Sequence, residues 1–106
     1  MRRRHIYIGN TGLIDSVGKL ARMFNDIRIE EVCYAYPVRH AGNVYKVGKN
    51  LYAVYNCNYK RGYNYVVGRG RFYCYRRAII SQEQLIEFAK KYNLNHILQD
   101  LQEVEP

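Results

Sequence analysis

Arg71-Phe72-Tyr73-Cys74-Tyr75-Arg76-Arg77-Ala78-Ile79-Ile80-Ser81-Gln82-Glu83-Gln84 holds the transition on which the fold turns. Its first ten residues are rich in aromatic and β-branched side chains and read as a strand. Alternation sends Arg71, Tyr73, Tyr75 and Arg77 to one face and Phe72, Cys74, Arg76 and Ala78 to the other. Ser81 and Gln84 then make a capping box, so a helix starts directly after the strand. Leu85, Phe88, Ala89 and Tyr92 give that helix an apolar stripe, and Asn93 stops it. Asn95 caps a last helix bearing Ile97, Leu98, Leu101 and Val104. A final strand is the alternative, but helical period fits those four positions better.

Upstream the chain reads as hairpins. Tyr63–Val67 and Arg71–Ile80 flank Gly68-Arg69-Gly70, and Val44–Val47 and Leu51–Cys57 flank Gly48-Lys49-Asn50. On the strand from Leu51, alternation separates Leu51, Ala53, Tyr55 and Cys57 from Tyr52, Val54 and Asn56. The chain opens with a short strand, His5–Gly9, and a Gly9-Asn10-Thr11-Gly12 turn. Asp15 or Ser16 caps a helix with Val17, Leu20, Ala21 and Phe24 at helical spacing, and Ile27–Tyr36 is a second strand ending at Pro37. The expected class is α+β: a β-α-β start, a hairpin-rich and mostly antiparallel sheet, and two C-terminal helices packed on one face. At 106 residues this is one domain. Residues 1–4 form a flexible basic arm, 5–80 the βαβ unit plus hairpins, and 81–106 a helical hairpin.

Charge is distributed unevenly. The net charge is +8, yet no Asp or Glu occurs from Val32 to Gln82. That stretch instead interleaves Arg39, Lys46, Lys49, Lys60, Arg61, Arg69, Arg71, Arg76 and Arg77 with ten tyrosines. A long single-sign segment repels itself on folding, so its charge calls for a partner. Tyrosine offers a flat apolar face on which an unpaired base stacks. Strand propensity accounts for any one Tyr, but it does not account for the missing acids. The expected partner is therefore nucleic acid, with RNA or single-stranded DNA favoured. The site residues are Tyr7, Lys60, Arg61, Tyr63, Tyr65, Arg69, Arg71, Tyr73, Tyr75, Arg76 and Arg77, with Arg2–Arg4 as an arm.

Ile6-Tyr7-Ile8-Gly9-Asn10 resembles the first signature of RNA recognition motif domains, and Arg61-Gly62-Tyr63-Asn64-Tyr65-Val66 resembles the second. The resemblance implies base stacking on Tyr7, Tyr63 and Tyr65 from neighbouring central strands. The interval between the two signatures is longer here than in that family, an extra hairpin follows, and the C-terminus reads as helix where the family ends in a strand. About a dozen matching residues do not assign a family.

Other chemistry has less behind it. The Gly9–Gly12 turn before a helix suggests a phosphate cradle, but it lacks a full nucleotide-binding spacing and reads first as a strand-to-helix turn. The C-terminal helices have helix-turn-helix spacing. The last of them carries Gln99, Asp100, Gln102 and Glu103 and no Lys or Arg, a surface that phosphate repels. A groove-reading β-ribbon made by the central hairpins is the better duplex-binding idea. His40 with Arg39 and a tyrosine would suit metal-free phosphodiester cleavage, a distant ribonuclease or phosphodiesterase alternative. No carboxylate cluster stands in the basic half to bind Mg²⁺, and no metal or cofactor is expected. Cys33, Cys57 and Cys74 form no zinc pattern and read as free, buried thiols in a reducing compartment. No apolar run reaches membrane-spanning length, so a cytoplasmic protein without membrane contact is expected. The alternative function is a small viral or mobile-element inhibitor or interaction protein docking on an acidic protein surface, since Tyr and Arg also dominate protein hot spots. An unpaired sheet edge would allow a homodimer.

Overall fold

The computed structural model describes residues 5–34, 42–56, 60–63 and 71–104, with side chains from 5–31, 42–56 and 75–101. The elements run β1 (Ile6–Asn10), α1 (Ser16–Met23), β2 (Arg28–Tyr34), β3 (Asn43–Gly48), β4 (Leu51–Tyr55), β5 (Lys60–Tyr63), β6 (Arg71–Ile80), α2 (Gln82–Lys91) and α3 (Asn95–Val104). The order is that of an α+β chain, and the last segment is a helix, not a strand.

β6 is the spine of the sheet. Its ten residues reach about 33 Å at ordinary strand rise. β2 pairs along one side of it, from Arg28 opposite Ile79 to Tyr34 opposite Tyr73. Along the other side two shorter strands follow one another. β4 pairs with Arg77–Ile80, and β5 pairs with Arg71–Cys74. β3 and then β1 extend the sheet beyond β4, giving the order β1-β3-β4-β6-β2 with β5 on β6. Every described pairing is antiparallel. The β-α-β start therefore spans the sheet, with β1 first and β2 last among the described strands.

The helices cover one face. Ile8, Val44, Tyr52, Val54, Ala78 and Ile80 from the sheet meet Val17 and Leu20 of α1, Leu85, Phe88 and Ala89 of α2, and Ile97 and Leu101 of α3 in one core. On the other face Ala53, Tyr55 and Tyr75 form a second, smaller core with Tyr45, Val47 and Ile79 beside it. No described helical residue packs there. β4 thus buries both faces, Tyr52 and Val54 under the helices and Ala53 and Tyr55 away from them, as alternation predicts.

Local chemistry fixes the joints. Ser81 accepts from the Gln84 amide while the Gln84 side chain accepts from the Ser81 amide, the reciprocal capping box expected at the start of α2. Asn50, in the tight β3–β4 turn at φ 57°, also accepts from the Gln82 amide at 3.0 Å, so the turn helps to cap the helix. Asp15 caps α1 through the Gly18 amide, and a Cβ on Gly18 would collide with that carboxylate. Asn56, where β4 ends, accepts from the buried Val17 amide and donates its own N–H to the Arg76 carbonyl, tying α1 to the spine. None of the described helices is long and apolar enough to cross a membrane.

Candidate nucleic-acid interface

Register decides which expected site residues share a surface. Residues opposed across an antiparallel pair stand on the same face of the sheet. Arg61 is opposite Tyr73, and Tyr63 is opposite Arg71. On the far side of β6, Tyr34 is opposite Tyr73. Positions 61, 63, 71, 73 and 34 therefore share the face that positions 75 and 77 occupy, the face turned away from the helices. Tyr7 joins it through Tyr45, its cross-strand partner. Lys60 and Arg76 fall on the opposite face, the latter exposed. Tyr65 and Arg69 lie outside the described residues, as do Arg2–Arg4 and His40.

The helix-free face has two halves. In the half backed by helices on its other side, described side chains form a continuous chain of contacts. Tyr7 meets Tyr45 edge-to-face at 5.5 Å between centroids, and Tyr45 meets Tyr55 at 5.8 Å. Arg77 Nη1 donates to the Tyr55 hydroxyl at 3.0 Å. The guanidinium carbon is 5.9 Å from the ring centroid, so the contact is at the hydroxyl rim and the hydrogen bond carries it. The same guanidinium grips Glu30, with Nε 3.0 Å and Nη2 2.9 Å from Oε1. Arg28 holds the other oxygen of Glu30 at 2.8 Å. The hydrogen bond from Arg77, opposed by desolvation and helped by the charge of Arg77 and by Arg28, holds the Glu30 carboxyl below its ordinary range.

Two of the expected site residues are engaged within the sheet itself. Tyr75 is 1% exposed, packed with Ala53 and Tyr55, so no base can stack on it. The small Ala53 side chain leaves the volume that the rings fill. Arg77 is held by Glu30 and the Tyr55 hydroxyl within the sheet. The acid-free run in the sequence conceals this, because the neutralising acid arrives from β2. Glu30 and Glu31 stand opposite Arg77 and Arg76. Tyr7, at 52% exposure, keeps an accessible ring.

The other half of the face, where β5, β6 and β2 run side by side, has a different register. Arg61, Tyr63, Arg71, Tyr73 and Tyr34 are set against one another, and no acid occurs opposite any of them in these pairings. Tyr34 was absent from the sequence-based set, and the missing signal is the β2–β6 register, which alternation within one strand cannot supply. The two stretches that resemble RNA recognition motif signatures do not sit on neighbouring central strands. Among the described strands β1 pairs only with β3, which separates it from the line that β4 and β5 occupy along β6.

The Gly9–Gly12 turn is a joint and not a cradle. Asn10 Oδ1 takes the Gly12 amide at 2.7 Å, Thr11 Oγ1 takes that of Leu13, and the Gly42 carbonyl takes that of Thr11. The Val17 and Gly18 amides at the start of α1 are also taken, by Asn56 and Asp15. His96 sits against the Asn10 carbonyl at 2.7 Å. No protein-family model, curated protein or solved structure matches the chain.

Proposed function

We propose that the chain binds single-stranded nucleic acid, RNA or DNA, across the helix-free face of its sheet where β5, β6 and β2 lie side by side. One observation carries this reading: register sets Arg61, Tyr63, Arg71, Tyr73 and Tyr34 on one face with no acid opposite them. Alternating guanidinium and phenol groups offer charge to phosphates and flat rings to bases. Each stacked base adds roughly 1–3 kcal/mol. Lys60 and Arg76, on the other face, contribute long-range attraction only. The role is binding without catalysis.

A second reading has an observation of its own. Tyr7 and Leu51, 52% and 40% exposed, accompany Tyr45, Val47 and Ile79 on the helix-backed half of the same face. An apolar area beside a basic one suits a protein partner with an acidic surface.

Fluorescence anisotropy with labelled single-stranded RNA, single-stranded DNA and duplex DNA separates the two. The expected result is micromolar or tighter binding of a single strand, weaker binding of the duplex, and loss of affinity as salt rises. Absence of binding to all three even at low salt would discard the nucleic-acid reading in favour of the acidic protein partner.

A further inference from the structure

Cys33 and Cys74 are direct cross-strand partners in the β2–β6 pairing, and Lys60 of β5 stands opposite Cys74 on its other side. The three positions form one row across three strands, on the face opposite the Tyr34–Tyr73 row. Directly opposed residues of an antiparallel pair have Cα atoms about 4.5 or 5.5 Å apart, according to whether the pair is hydrogen-bonded. Both separations fall inside the span of about 4.4–6.8 Å that a disulfide bridges. The thiolate is the form that attacks a disulfide. The sequence conceals this pairing, because its three cysteines are widely and unevenly spaced.

We propose that Cys33 and Cys74 are a redox-sensitive cross-strand pair, which a small disulfide oxidant such as oxidised glutathione closes into a covalent staple between β2 and β6. In the first step one cysteine thiolate attacks oxidised glutathione, forming a mixed disulfide and releasing one glutathione thiolate. In the second the other cysteine, after losing its proton, attacks the protein sulfur of that mixed disulfide and displaces the second glutathione. The two cysteines are oxidised, one oxidised glutathione is reduced to two thiols, and the protons end on those thiols or in the buffer. Among the described strands β2 pairs only with β6, so the staple ties β2 to the spine by a second kind of bond. It bears on backbone next to the proposed binding row but does not depend on that row binding anything.

The test is to incubate the full chain with oxidised glutathione, block remaining thiols with N-ethylmaleimide, and map disulfides by mass spectrometry without reduction. The expected product is a monomer with Cys33 joined to Cys74 and Cys57 alkylated. A Cys57→Ser variant gives the same bond, whereas Cys33→Ser and Cys74→Ser each leave a glutathione adduct on the remaining partner. Hydrogen exchange of the β2 amides slows in the oxidised chain and recovers with dithiothreitol. The proposal is overturned if, in a chain whose circular dichroism matches the reduced form, Cys33 and Cys74 are both alkylated or are joined to Cys57 or to another molecule.

Discussion

Arg77 shows how much a single side chain's neighbours decide. Its sequence surroundings hold no acid, and it reads there as a phosphate ligand. In the fold it is an ion-pair partner, with its side chain 19% exposed and that of Glu30 27% exposed. Removing it as Arg77→Ala deletes its ion pair with Glu30 and its hydrogen bond to the Tyr55 hydroxyl. Charge-assisted hydrogen bonds of this kind contribute about 1–3 kcal/mol, so the urea midpoint should fall accordingly while affinity for a single strand changes little. A pH effect follows from Glu30. Its folded-state pKa is lowered, so its contribution is present above the ordinary carboxylate range and is lost as pH falls through the lowered value. Urea denaturation across acid pH should show that loss in the native chain, and Glu30→Gln should remove that component. Tyr75 makes the same point about legibility. Alternation places it on the correct face, but only the identity of its neighbours, Ala53 and Tyr55, shows that this part of the face is closed.

Elements were more legible than their arrangement. Capping chemistry and hydrophobic period locate the starts of α1 and α2 to within a residue, because both are local signals. The Gly48-Lys49-Asn50 turn is likewise written in three residues. The order of strands is not, since β2 reaches β6 across nearly forty residues and no local pattern encodes that choice. The turn carries a test at this scale. Asn50 holds a left-handed backbone conformation and also accepts from the Gln82 amide. Asn50→Gly keeps the backbone freedom and loses the cap, whereas Asn50→Ala loses both. Thermal melts should show Asn50→Ala destabilised by about 1–3 kcal/mol and Asn50→Gly by clearly less. Equal loss in the two variants would mean that the backbone conformation at Asn50 contributes nothing.

For the molecule as a whole, charge composition pointed to a polyanion, but it overcounted the available cations. Antiparallel pairing brings Glu30 and Glu31 from outside the acid-free run to face Arg77 and Arg76. In the described pairings, the basic positions without an acid opposite them are left where β5 meets β6. Residue type and alternation mark Arg61, Tyr63, Arg71 and Tyr73 there, only the β2–β6 register adds Tyr34, and Tyr75 and Arg77 take part in the sheet's own packing. The account thus makes Arg61 and Arg71 the phosphate contacts. Each contact to a single strand adds about 0.7 to the slope of log affinity against log salt. The deciding measurement is that slope, by anisotropy with a single-stranded oligonucleotide, for the native chain and for Arg61→Ala/Arg71→Ala with the fold checked by circular dichroism. The account predicts weaker binding and a slope shallower by about 1.4 in the double variant. An unchanged slope and affinity in a folded double variant would contradict it.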